Sequence, residues 1–143
     1  MFKKIAVAYD DSKSAQHALA TAISLAASLG SNLRIVTIVE PQPFYVNIAL
    51  AADYNLPDLL QNERRERLQQ SLKLALQHAA NAGVEAEATL VDGREVEGIL
   101  AEITSCCADL LVLGLSQHHG FAEMTSTVHR ISLHTPCPIL GVH

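Results

Sequence analysis

Cysteine is scarce in this chain, and the three present cannot build a disulfide framework. Cys106 and Cys107 are neighbours and Cys137 completes no CxxC pair, which excludes a thiolate zinc site as well. The odd count fits a reducing compartment, with buried, inert thiols as the expectation for all three. Positive charge is also in short supply: ten Lys and Arg stand against fifteen Asp and Glu, a formal net charge of −5. Binding a phosphate backbone needs a clustered basic face, whereas Arg64, Arg65 and Arg67 are interleaved with Glu63 and Glu66. Nucleic acid is thereby excluded as a partner. No apolar run approaches the roughly 18 residues of a membrane span, and the one after Lys3 and Lys4 is too short for a signal peptide. A cytoplasmic protein without membrane contact is expected. GxSxG, P-loop and HExxH motifs are missing too, and no thiol has an evident base partner, so no catalytic constellation is predicted.

What is present is an alternation of two periods. The 143 residues, 49% hydrophobic, suit one domain over 1–143 that buries about two-thirds of its surface. There is no internal repeat and no linker. Lys4–Tyr9 reads as a strand closed by Asp10, Asp11 and Ser12. From Ser14 the apolar positions Ala15, Ala18, Leu19, Ala22, Ile23, Ala26 and Leu29 recur at helical steps, and Gly30 stands where a left-handed cap belongs. Leu33–Val39 is a second strand, stopped by Glu40 and Pro41, which makes a βαβ unit. Pro41–Pro57 has no period and reads as an irregular excursion with one helical turn near Ile48–Asp53. A long helix follows from Asp58 to just before Gly83, then a half-polar edge strand Val84–Val91, a turn at Asp92 and Gly93, and a helix from Val96 to Ala108.

The last 35 residues close the pattern with the apolar strand Leu110–Leu113, Gly114, a polar loop, and a second apolar run Pro138–Val142. Thr125, Ser126 and Thr127 are placed to cap a helix from about Val128 to His134, and a helix start aimed over a strand end suits an anion. Five strands alternating with helices predict an α/β, doubly wound, five-stranded parallel sheet with helices on both faces.

Two stretches, KKIAVAYDDSKSAQHALATAISLA at the front and DLLVLG…TSTVHRISLHTPCPILGV at the back, resemble the universal stress protein family over the whole chain. The resemblance implies strand order 3-2-1-4-5, an adenine-nucleotide alpha-hydrolase-like architecture, and usually a dimer. It also implies a ligand crevice at the direction switch between strands one and four, which Asp10 and Gly114 would face. Members that bind ATP share a glycine, two residues, a glycine, nine residues, then glycine and Ser/Thr, because glycines let backbone N–H groups wrap phosphates. Here the first is Gly114, but the second position is Gln117, and only seven residues separate it from Thr125 and Ser126. Two glycines are missing and the loop is two residues short.

That departure resembles the branch of the family that binds no nucleotide. The expected function is therefore a dimeric cytoplasmic stress-response regulator acting through protein contacts, with an unknown regulatory protein as partner and no cofactor. Its dimer would form through the last strand, Pro138, Ile139, Leu140, Gly141 and Val142, an edge that ends the sheet. The alternative is an ATP or AMP sensor that uses a crevice of Ala8, Tyr9, Asp10, Ile38, Gly114, Gln117, Thr125, Ser126 and Thr127. Enzymatic activity is not expected, with weak ATP hydrolysis left open. His118 and His119 read as a solvated loop, and Asp10 with Asp11 as a capping turn in preference to a metal pair.

Overall fold

A computed structural model describes residues 1–41, 56–115 and 121–143, with the side chains of Pro57 and of residues 121–126 outside that description. Five strands form one sheet: β1 (Lys4–Ala8), β2 (Asn32–Val39), β3 (Ala86–Asp92), β4 (Leu110–Gly114) and β5 (Ile139–Val142). Their order is β3-β2-β1-β4-β5, and every pair is parallel. Among the described residues the helices between them are α1 (Lys13–Leu29), α2 (Leu56–Asn81), α3 (Glu95–Cys106) and α4 (Phe121–His134). The predicted class and order both hold. Among the described residues no helix is long and apolar enough to cross a membrane.

Side-chain alternation along each strand sends one set of residues to each face. Ile5, Val7, Leu33, Ile35, Leu110 and Val112 pack with α1 and with Leu72, Ala75 and Ala79 of α2. Ala6, Leu111 and Leu113 pack with Val96, Ile99 and Ile103 of α3 and Ile131 of α4. Both faces of the central strands are thus buried, which is why β4 reads as a continuous apolar run.

The helix ends follow capping chemistry. Ser12 Oγ accepts the Ala15 N–H at 3.2 Å to open α1, and Gly30 closes it in the left-handed region at φ 65°. At the amino ends of the strands, the Asp109 carboxylate accepts the backbone N–H groups of Lys3 and Lys4 at 2.8 and 3.0 Å, tying β1 to the approach of β4.

Several boundaries differ from the sequence reading. β3 begins at Ala86, because Val84 still belongs to the turn that returns its N–H to the Ala79 carbonyl. The last helix begins at Phe121 rather than Val128: Phe121, Met124, Val128 and Ile131 continue the helical spacing backward, so Thr125, Ser126 and Thr127 lie inside α4 and cannot be its N-cap. Of the cysteines, Cys137 is buried and Cys106 half-buried, but Cys107 is exposed. It is the left-handed cap of α3, with φ 53°, where the chain turns outward. The predicted excursion turn near Ile48–Asp53 lies outside the described residues, as do Gln117, His118 and His119.

Candidate functional site

A crevice of about 400 Å³ opens at the carboxyl ends of β1, β2 and β4, on the side where α3 and α4 flank the sheet. It lies where the sheet order reverses direction between β1 and β4. Of the residues proposed from sequence, Ala8, Tyr9, Asp10, Ile38, Gly114 and Thr127 all line it. Gln117 is outside the described residues, and of the Thr125 and Ser126 side chains nothing is described.

Lining the crevice is not the same as presenting a side chain to it. The Tyr9 ring belongs to the opposite face, where its hydroxyl is 2.9 Å from Ser71 Oγ on α2, so only the main chain of Tyr9 remains to shape the crevice. Alternation explains this, because Tyr9 continues the Ile5 and Val7 set while Ala8 turns toward α3. Asp10 has a local duty: its Oδ1 accepts the Ser12 N–H at 3.1 Å, shaping the turn into α1. Asp11, held in the left-handed region at φ 66°, directs its carboxylate to Arg67 Nε at 3.3 Å. The two aspartates therefore diverge, and no group of three metal-ligating side chains occurs among the described residues.

Gly114 is required by packing. A Cβ there would stand 2.5 Å from both the carbonyl carbon and the oxygen of Ser14, so a side chain would collide with the backbone opening α1. Ile38 forms the apolar wall, and its Cδ1 lies 2.7 Å from where a Cβ on Gly98 would stand, so Gly98 makes room for it. Val36, Ile99, Val128 and Ile131 complete the apolar lining.

Glu95 also lines the crevice, and nothing in the sequence reading singled it out. It opens α3, whose N-cap position, Arg94, makes no side-chain cap. Glu40, just beyond β2, takes that role from outside the helix: its Oε1 accepts the Glu95 N–H at 2.8 Å. The Glu95 residue is exposed overall, yet its carboxyl is partly withdrawn from water. That desolvation, then the charges of Glu40 and Asp10, raise its pKa above the ordinary 4.5. Glu97, two residues on, moves the other way. Hydrogen bonding at its own backbone N–H, and then the Arg130 guanidinium 2.9 Å away, hold its carboxyl below the usual range. A signal for Glu95 did exist, since Glu40, Asp10 and the start of α3 all follow the carboxyl ends of strands in one sheet. It became legible only with the strand order in hand.

No lysine or arginine lines the crevice among the described residues. Chemically, it offers an apolar wall, hydroxyls at Ser12, Ser14 and Thr127, and carboxylates at Asp10 and Glu95. Such a lining accepts hydrogen bonds readily and supplies no described cation for a phosphate.

The universal stress protein family model matches residues 1–143. The chain is 32% identical over 145 residues to a universal stress protein of Thermus aquaticus, with 99% of each chain covered. Among solved structures it is similar to a protein of that family from Burkholderia pseudomallei, at 28% identity and TM-score 0.76, covering 98% of this chain and 95% of that one. A universal stress protein in complex with cAMP is similar at 25% identity and TM-score 0.73, with 99% and 97% covered.

Proposed function

The chain belongs to the universal stress protein family, and from that premise we propose that it is a stress-response regulator that works as a homodimer through protein contacts and does not hold ATP tightly. The observation that carries this reading is the charge of the crevice. Asp10 and Glu95 line it with no described cation beside them, so the described lining offers a triphosphate hydroxyls and no positive charge to offset its own. Gly114, the one glycine that keeps the phosphate-loop pattern, is accounted for by its contact with Ser14. No catalytic step is part of the proposal.

The dimer rests on β5. That strand ends the sheet with β4 as its neighbour, so its outer edge presents backbone N–H and C=O groups, and Leu140 is 36% exposed. A second copy that adds its own β5 across a two-fold axis covers both edges at once. The regulatory partner is a protein that recognises this dimer. Sedimentation at tens of micromolar should give a dimer, and Leu140→Asp should shift it toward monomer; a wild-type chain that is only monomeric ends this part of the reading.

A second reading is favoured by the crevice's size, about 400 Å³ beside the apolar wall of Ile38, and by the likeness to the protein in complex with cAMP. The crevice then takes a nucleoside or AMP without a triphosphate cradle. Thermal unfolding with Mg-ATP, ADP and AMP separates the two. A ligand present at a hundred times its Kd stabilises the native state by about 2.7 kcal/mol. The first reading expects no shift with any of them, and the second expects one with AMP and not with ATP. A shift with ATP overturns both.

A further inference from the structure

We propose that a second cavity, at the opposite end of the sheet from the crevice, is a site of reversible thiol modification, where Cys107 exchanges with the disulfide of a small zwitterionic thiol peptide. The cavity is about 310 Å³ and lies at the amino ends of the strands, where Lys4 opens β1, Asn32 opens β2 and Ala108 precedes β4. Its lining includes both neighbouring cysteines, Cys106 and Cys107, and two charges of each sign, from Lys4, Arg34, Glu85 and Glu87. The crevice has no described cation, so the two spaces suit different chemistry.

The two cysteines are not equivalent. Cys106 is half-buried on the last turn of α3, and its Sγ donates to the Ile103 carbonyl at 3.6 Å. Cys107 is exposed: it caps α3 at φ 53° with its main-chain N–H returned to that helix, and its thiol is free. Adjacent Cα atoms are about 3.8 Å apart across a trans peptide, shorter than the roughly 4.4 Å at which disulfides begin, so the pair is ill suited to closing on itself. Cys137 is buried under α3 and α4 and does not line this cavity. The partner sulfur for Cys107 therefore comes from outside the chain. The charges specify its kind. Lys4 Nζ donates to the Cys106 carbonyl at 3.3 Å, which sets an ammonium group beside the cysteines with further donors for a carboxylate. Glu85 and Glu87, the second braced by Arg34 at 2.8 Å, supply acceptors for an ammonium group. In the exchange the Cys107 sulfur, as thiolate, attacks one sulfur of the incoming disulfide. A new S–S bond forms to Cys107 as the old one breaks, and the departing half leaves as a thiolate that takes up the proton Cys107 lost. Cys107 is oxidised, the departing half is reduced to a thiol, and excess free thiol runs the step backward.

The experiment treats the reduced chain with glutathione disulfide, which carries both carboxylates and ammonium groups, and separately with the neutral bis(2-hydroxyethyl) disulfide. Intact mass and peptide mapping follow the products. Wild type should gain one glutathionyl group, on Cys107, that dithiothreitol removes, and Cys107→Ser should gain none. Lys4→Gln should lower the ratio of the two rates, glutathione disulfide over the neutral reagent, at least about threefold, because one cation is removed close to the incoming carboxylate. The ratio cancels any change in thiol reactivity that both reagents share. Lys73→Gln, on α2 and outside the cavity, should leave the ratio as it was. An adduct on Cys106 or Cys137 in place of Cys107, a disulfide-linked pair of chains in place of an adduct, or no reaction at all overturns the proposal. So does an unchanged ratio in Lys4→Gln, or an equal fall in Lys73→Gln, since Cys107 is then an exposed thiol that the cavity does not serve.

Discussion

Under α1 and α2 the helices meet the sheet largely through small residues, Ala15, Ala18, Ala22 and Ala26 from one and Ala75 and Ala79 from the other, with Leu19, Ile23 and Leu72 among them, all buried. Between α3 and α4 the contact is made by larger and fewer residues, chiefly Val96, Ile99, Ile103 and Ile131, and it stops short of the strand ends. The first pair leaves a groove of about 830 Å³ running between the two helices over Tyr9, Leu19, Ile23 and Ala75, whereas the second leaves its space at the strand ends, as the crevice. The candidate site is therefore what incomplete packing leaves at one end of one face, and it inherits its polarity from the loops around it.

Core truncation should show this contrast most strongly. Ile35→Ala, in the core under α1 and α2, is expected to cost about 2–5 kcal/mol, and Ile99→Ala, on the crevice wall, a value near the low end of that range. Ile35 is 0% exposed and has no solvent-filled space to relax into, whereas Ile99 already borders one. Urea unfolding of both variants checks it; equal losses would show that the two faces are packed to the same density. Gly114→Ala comes next, at about 1–3 kcal/mol, because the new methyl group meets the Ser14 main chain, which cannot rotate away as a side chain can. Loss of stability there, with the oligomeric state kept, would mark the residue as part of the closed scaffold rather than of the open crevice.

The smallest effect concerns pH. The Glu95 carboxyl is raised above 4.5 in the folded chain. Its protonated form is then favoured by folding, so its contribution is fully present below that ordinary value and is lost as pH rises through the elevated one. Glu95→Gln should match wild type in thermal stability near pH 4 and exceed it near pH 7. The reverse order would mean that the carboxylate gains a partner in the crevice instead of losing water.

The architecture was readable from the sequence because each strand and helix carries its own period and its own stop: Gly30 and Gly83 after helices, and Pro41 after β2. The crevice was readable in outline, since Asp10, Ile38 and Gly114 follow from strand ends and from the family's pattern. Tyr9 lines the crevice as expected, but a strand end gives position and not direction, and the pleat sends its ring to Ser71. The Thr125–Thr127 cap was misjudged because hydroxyl residues mark a helix start only when no apolar period precedes them, and here one does, from Phe121. Glu40 and Glu95 were invisible for another reason: they are 55 residues apart, and only the sheet brings them together.

The contact between Gly114 and Ser14 bears on how relatives of this chain are to be compared. A glycine at the end of β4 would be retained in any member that keeps α1 this close to the sheet, whether or not a nucleotide ever enters. Its presence in an aligned sequence is thus uninformative about ligand.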